Sequence, residues 1–70
     1  MSRENLKKAR TDKRMTQQQV ADYLGISLNY YQRIEYGTRT GNFQVWDDLE
    51  DLFSIHQRTL RQTSPEGDQL

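Results

Sequence analysis

The chain has 70 residues, 33% of them hydrophobic, with no cysteine and with ten basic residues balanced by ten acidic ones. That length holds one small domain, with roughly 3–5 kcal/mol of net stability from a single apolar nucleus, and the lack of cysteine excludes disulfides and thiolate metal sites. A polar N-terminus and the absence of any run of about 18 apolar residues exclude a secretory leader and a membrane span, so a cytoplasmic location is expected.

The first predicted helix covers Ser2 to Lys13, with Leu6 and Ala9 inward and Lys7, Lys8 and Lys13 in water. Arg10 falls on the inner side, where an ion pair is the ordinary solution for a cation; contact with a phosphate is the alternative, and the side chain could do both. Arg14 and Met15 make a short connection, Met15 serving as a gap filler. The stretch Thr16 to Gly37, TQQQVADYLGISLNYYQRIEYG, then reads as two helices and a tight turn. Thr16 and Gln19 have the spacing of a capping box. Val20 and Leu24 share a face, and the small Ala21 beside them lets another helix pass close. Gly25 adopts the left-handed conformation that ends a helix. Ile26 plugs the turn, Ser27 caps the next helix, Tyr31 and Ile34 point inward, and Gly37 stops it.

The outward face of that third helix holds Leu28, Asn29, Tyr30, Gln32, Arg33 and Tyr36. A helix that met only water would carry Lys and Glu there. Asn and Arg instead match the major-groove edges of adenine and guanine, and an apolar side chain matches a thymine methyl. Leu28, Asn29 and Arg33 are therefore the candidate base readers, with Tyr30 open between DNA backbone, base stacking and packing. The loop GTRTGN offers backbone N–H groups and a phosphate donor in Arg39. Asn42 caps a fourth helix, whose stripe of Phe43, Trp46, Leu49, Leu52 and Phe53 reads as core. Asp47, Asp48, Glu50 and Asp51 cover its outer, solvated face. Ser54 is expected to cap a short fifth helix, with Ile55 plugging its start and Leu60 inward. His56 has no Cys or His partner for zinc, and no metal or cofactor is expected. Residues 1–62 thus form the domain, and 63–70 a polar tail expected to be disordered.

Gln17, Ala21, Gly25, Ile26, Ser27, Ile34, Glu35 and Gly37 together resemble the Cro/phage-repressor family of helix-turn-helix regulators. The resemblance runs from Leu6 to Leu60, with Tyr31 where an aliphatic residue is more usual and one extra residue in the loop after Gly37. It implies an all-α fold, a compact five-helix bundle of the lambda-repressor type. It also implies an Arg10–Glu35 ion pair bracing the first helix against the third. By the same resemblance Gln17, Ser27, Tyr30, Tyr36, Arg39 and Thr40 would meet the DNA backbone, and a homodimer would form around Ile55, Arg58, Leu60 and Arg61; the acidic outer face of the fourth helix opposes close approach there, so a weak dimer favoured on DNA is expected.

The charges are divided along the chain. Residues 1–40 hold eight basic against four acidic residues, or +4, and the remainder two against six, or −4. A molecule so divided can turn its basic half to phosphate. The function expected is a sequence-specific regulator, a repressor, bound to a palindromic double-stranded operator. The alternative is a protein-interaction module of the same fold, such as an antitoxin or a regulator's partner. An enzyme is not expected, because no nucleophile–base set is present and so small a chain encloses little.

Overall fold

The computed structural model describes residues 2–63. Five helices follow one another: α1 (Glu4–Asp12), α2 (Gln17–Leu24), α3 (Leu28–Tyr36), α4 (Phe43–Phe53) and α5 (Gln57–Arg61). The chain is all-α. Residues 64–70 of the expected tail lie outside the described residues.

Local chemistry sets most helix ends. Thr16 Oγ1 accepts from the Gln19 N–H at 3.0 Å while Gln19 Oε1 accepts from the Thr16 N–H at 2.8 Å, closing the capping box. Ser27 Oγ accepts from the Tyr30 N–H, and Asn42 Oδ1 from the Val45 N–H. Gly25 and Gly37 end α2 and α3 in the left-handed region. Two ends differ from expectation. α1 begins at Glu4 rather than Ser2: Arg3 is non-helical, at φ −94° and ψ 81°, and its N–H meets the Glu35 carbonyl at 2.9 Å. Ser54 does not cap α5; it ends α4 in the left-handed region, and His56 Nδ1 accepts from the Arg58 N–H instead.

The core is built from spacings of three and four. Leu6 and Ala9 come from α1, Val20 and Ala21 from α2, and Tyr31 and Ile34 from α3. α4 contributes Val45, Trp46, Leu49 and Phe53, and α5 contributes Leu60. α2 packs on α3, and α5 packs on both α1 and α4. Phe43, expected in this core, is 80% exposed. It stands at the first position of α4, where no neighbouring helix reaches it, and Val45 takes the place in the core instead. Leu60 is fully buried within its own chain, so it has no surface to give a second copy. Among the described residues no helix is long and apolar enough to cross a membrane.

The later part of the α3–α4 loop is tied inward. Trp46 Nε1 donates to the Thr40 carbonyl at 2.6 Å. A Cβ on Gly41, whose φ is +81°, would lie 3.2 Å from both Ile34 Cδ1 and Trp46 Nε1. Gly25, at φ +72°, has open space there. Gly25→Ala is therefore expected to cost only its backbone strain, about 1 kcal/mol. Gly41→Ala adds a clash with the core and is expected to cost more, about 2–3 kcal/mol. Urea melts of both variants check this; equal losses would mean that the Trp46 contact does not constrain the loop.

Candidate nucleic-acid interface

Glu35 lies on the inner face of α3, and its carboxylate is filled from three helices. Arg10 Nε donates to Oε2 at 2.8 Å and Arg10 Nη2 to Oε1 at 3.2 Å. Gln17 Nε2 donates to Oε1 at 2.9 Å, and the Tyr31 hydroxyl to Oε2 at 2.9 Å. The Arg10 and Glu35 side chains are 12% and 7% exposed. Arg10 Nη1 also donates to the Met15 carbonyl, tying down the α1–α2 connection. Burial alone would raise the Glu35 pKa, but donors from Arg10, Gln17 and Tyr31 outweigh it and hold the carboxyl below its ordinary value. The Arg10 guanidinium is raised by the same hydrogen bond. Burial, with the Glu35 charge beside it, pushes the Tyr31 phenol far up, so it remains a donor. Tyr31, at a position where an aliphatic residue is more usual in the resembled family, thus adds a hydroxyl donor to Glu35.

Arg3 does a second, unexpected job. Counted from sequence among the phosphate-facing cations, it is buried. Its Nη1 donates to the Ile34 and Arg39 carbonyls at 2.6 and 2.9 Å, and its Nε to the Arg61 carbonyl at 3.0 Å. These acceptors lie at or near the C-terminal ends of α3 and α5, where helix dipoles favour a cation. The guanidinium also sits 5.2 Å from the Trp46 ring centroid, a cation–π contact. Burial, then the Arg61 charge, lower its pKa. No local signal marks this Arg in the sequence, because its partners lie far along the chain. With Arg3 and Arg10 withdrawn, six of the eight basic residues in 1–40 remain outward: Lys7, Lys8, Lys13, Arg14, Arg33 and Arg39.

The outward face of α3 opens on a cleft whose lining includes Lys7, Gln17, Asn29, Gln32, Arg33 and Tyr36. Asn29, Arg33 and Tyr36 are exposed, whereas Leu28 and Tyr30 are half-buried, Tyr30 packing against the core. Arg33 Nε donates to Asn29 Oδ1 at 2.9 Å, so the two form one unit. Gln17 faces inward to Glu35, and its Oε1 accepts from Gln32 Nε2 at 3.1 Å. Ser27 is exposed with its Oγ already capping α3. Beyond Gly37 the loop offers fewer donors than expected. The N–H groups of Gly37, Thr38 and Arg39 all turn back to the Arg33 carbonyl, closing the end of α3. Arg39 and Thr40 direct their carbonyls inward to Arg3 and Trp46, and both residues are exposed. On the opposite side Ile55 is half-buried, and Arg58 and Arg61 are exposed.

The Glu35 cluster makes a pH prediction. Its folded pKa is depressed below the ordinary 4.5, so its contribution is complete above that value and is lost as pH falls through the folded one. Glu35→Gln is expected to cost about 3 kcal/mol near neutral pH, since it strands the Arg10 charge in a buried place. That difference from the wild type should narrow as pH falls below 4.5. Melting curves across pH check it; a pH-independent difference would mean the carboxylate charge contributes nothing.

A family model described as helix-turn-helix matches residues 6–56, which takes in most of α1 and all of α2 to α4, with both members of the Arg10–Glu35 pair. The chain is also 36% identical over 55 residues to an uncharacterised HTH-type transcriptional regulator, YqaE, of Bacillus subtilis (strain 168). That alignment covers 79% of this chain and 47% of the relative, so the chain spans about half of the relative's length. No solved structure matches the chain. With the capping box, the left-handed Gly25 turn and the α3 face all inside the matched span, the chain belongs to the helix-turn-helix family.

Proposed function

We propose that this chain is a sequence-specific, double-stranded DNA-binding regulator of transcription that represses by occupying its operator. The observation that carries the reading is the Arg33–Asn29 unit on the exposed face of α3. Held at Nε, the Arg33 guanidinium keeps both terminal nitrogens for the N7 and O6 atoms of a guanine in the major groove. Asn29 keeps its Nδ2 donors, and Leu28 offers an apolar contact to a thymine methyl at the start of the helix. Arg39, Tyr36, Thr40 and Ser27 surround this face and are assigned to phosphates, with Tyr30 flanking them. Gln17 is assigned there through its backbone N–H at the start of α2. The relative's printed name, a transcriptional regulator, supports the same reading.

A second reading, a module working through protein contacts, is favoured by one observation: Phe43 stands 80% exposed. Salt separates the two. Binding to duplexes selected from random DNA should weaken steeply with salt, by a log–log slope of about −0.9 per phosphate neutralised. A protein complex indifferent to salt, with no duplex bound, would favour the second. Arg33→Ala should cost roughly 1–3 kcal/mol on the preferred site and relax preference at one base pair per half-site. Arg39→Ala should weaken all sequences alike and flatten the salt slope by about one. Uniform loss in both, with base preference intact, would remove α3 as the reader.

One helix of nine residues contacts too few base pairs for a useful specificity ratio, so a two-fold operator read by two copies is proposed. Half-sites would lie roughly 34–36 Å apart. With Leu60 committed to the core, the contact between copies falls to Ile55, Arg58 and Arg61, beside the acidic α4. Asp47 and Glu50 there already share the Gln57 amide, at 3.0 Å each. A weak dimer, assembled on DNA, follows. Sedimentation should find monomer without DNA and two chains on a palindromic duplex; a one-to-one complex on the best site that never gains a second copy would rule out the two-fold arrangement.

A further inference from the structure

We infer that Gln32 is a base-reading residue directed at an A·T pair, and that Gln17 is the positioning residue that sets which way its amide faces. The inference rests on the proposal that α3 reads DNA.

The ionised Glu35 carboxylate has acceptors only, so Gln17, 2.9 Å from Oε1, must turn Nε2 toward it. Gln17 Oε1 is thereby directed away from Glu35, and it accepts from Gln32 Nε2 at 3.1 Å. Turning Gln17 over would set its oxygen against a carboxylate oxygen; turning Gln32 over would set two amide oxygens together. The buried charge thus fixes the order of both amides in turn. Gln32 is left with its carbonyl and its remaining N–H outward, one acceptor and one donor on a planar amide. That pair complements the N6 donor and N7 acceptor of adenine.

Position and competition point the same way. Gln32 is exposed and lines the same cleft as Asn29, Arg33 and Tyr36. Asn29, the residue first expected to read adenine, has its Oδ1 engaged by Arg33 Nε at 2.9 Å, so adenine reading passes to Gln32 one turn along the helix. The acceptor end of Gln17 does not suit a phosphate oxygen, which is itself an acceptor. That oxygen therefore serves Gln32, and what Gln17 can offer a phosphate is its backbone N–H and the second N–H of its amide.

The test selects duplexes from a random pool with the wild type, Gln32→Ala, Gln17→Met and the double variant, with a melting curve for each. The wild type should select a motif containing an A·T pair per half-site whose preference falls roughly tenfold or more in Gln32→Ala, the other positions being kept. Gln17→Met should lose preference at that same pair although Gln32 is intact, and the double variant should be no worse there than Gln32→Ala. A relay that only stabilised the fold would move the melts and leave base preference alone. If Gln17→Met melts too low to assay, Gln17→Lys keeps a donor for Glu35 and removes the acceptor that faces Gln32 while adding one positive charge; its affinity should rise for all sequences alike, and its preference at that pair should show the same loss. A wild-type motif that survives Gln32→Ala at every position overturns this inference and leaves the reading by α3 standing. A wild type that selects no motif overturns both.

Discussion

The structure depends on the Glu35 carboxylate. Withdrawing an ionised carboxylate from water costs several kcal/mol unless its oxygens are fully supplied with donors. Here four hydrogen bonds arrive from Arg10, Gln17 and Tyr31, on α1, α2 and α3. None of the three helices, at eight or nine residues each, is long enough to be stable alone. An apolar cluster of the same volume could match the pair for stability. It could not dictate direction. A carboxylate accepts only donors, so each neighbour has one permitted orientation, and the angle between α1 and the turn of α2–α3 is set with it.

A second charged group closes the C-terminal end of α3. Arg3 has backbone carbonyls as its recorded partners rather than a carboxylate, with the Trp46 ring nearby. Those carbonyls come from the end of α3, the loop after it and the end of α5. Helix C-termini leave carbonyls unpaired, and one guanidinium with several donors can serve segments that a Lys could not reach together. Trp46 also carries Arg61 at 5.7 Å from its ring centroid. The loop that follows α3 is thus held from both Arg3 and Trp46, which leaves the Arg39 and Thr40 side chains free to face solvent. Two cations, the largely covered Arg10 and the buried Arg3, hold the C-terminal part of α3, one through the Glu35 carboxylate and the other through the Ile34 carbonyl.

What was legible in the sequence was local. The Thr16–Gln19 box, the Ser27 and Asn42 caps and the Gly25 and Gly37 ends depend on residues within a few positions of each other, and their side chains have few alternatives. Leu6, Ala9, Val20, Ala21, Tyr31 and Ile34 were readable from helical spacing. Arg10 and Glu35 came into view as a pair only through the family resemblance. What was not legible depends on distant segments. Arg3 finds acceptors 31, 36 and 58 residues away, and nothing near it distinguishes it from a solvated Arg. Phe43 fits the α4 stripe by spacing, yet exposure at the helix end is a property of the neighbours. Ser54 looked like a cap because serine commonly is one, but the chain there needed a left-handed residue, and the His56 ring took the capping role. Gln17 was read by its place after the cap, and only the packed structure reveals that its side chain turns inward.

The inward and outward faces of α3 are usually treated as separate concerns, one for folding and one for recognition. In so short a helix they are separated by single residues: Tyr31 and Ile34 are buried, while Gln32 and Arg33 between them are exposed. The amides of Gln17 and Gln32 carry the polarity of the buried Glu35 charge outward to the surface. A weakly bonded surface amide would otherwise turn over freely, and a contact that must first be oriented binds less tightly than one already held. The charge that helps to fix the core therefore also orders the Gln17 and Gln32 amides on the surface of α3; in the proposed reading of DNA by this helix, Glu35 would act on recognition without touching anything outside the chain.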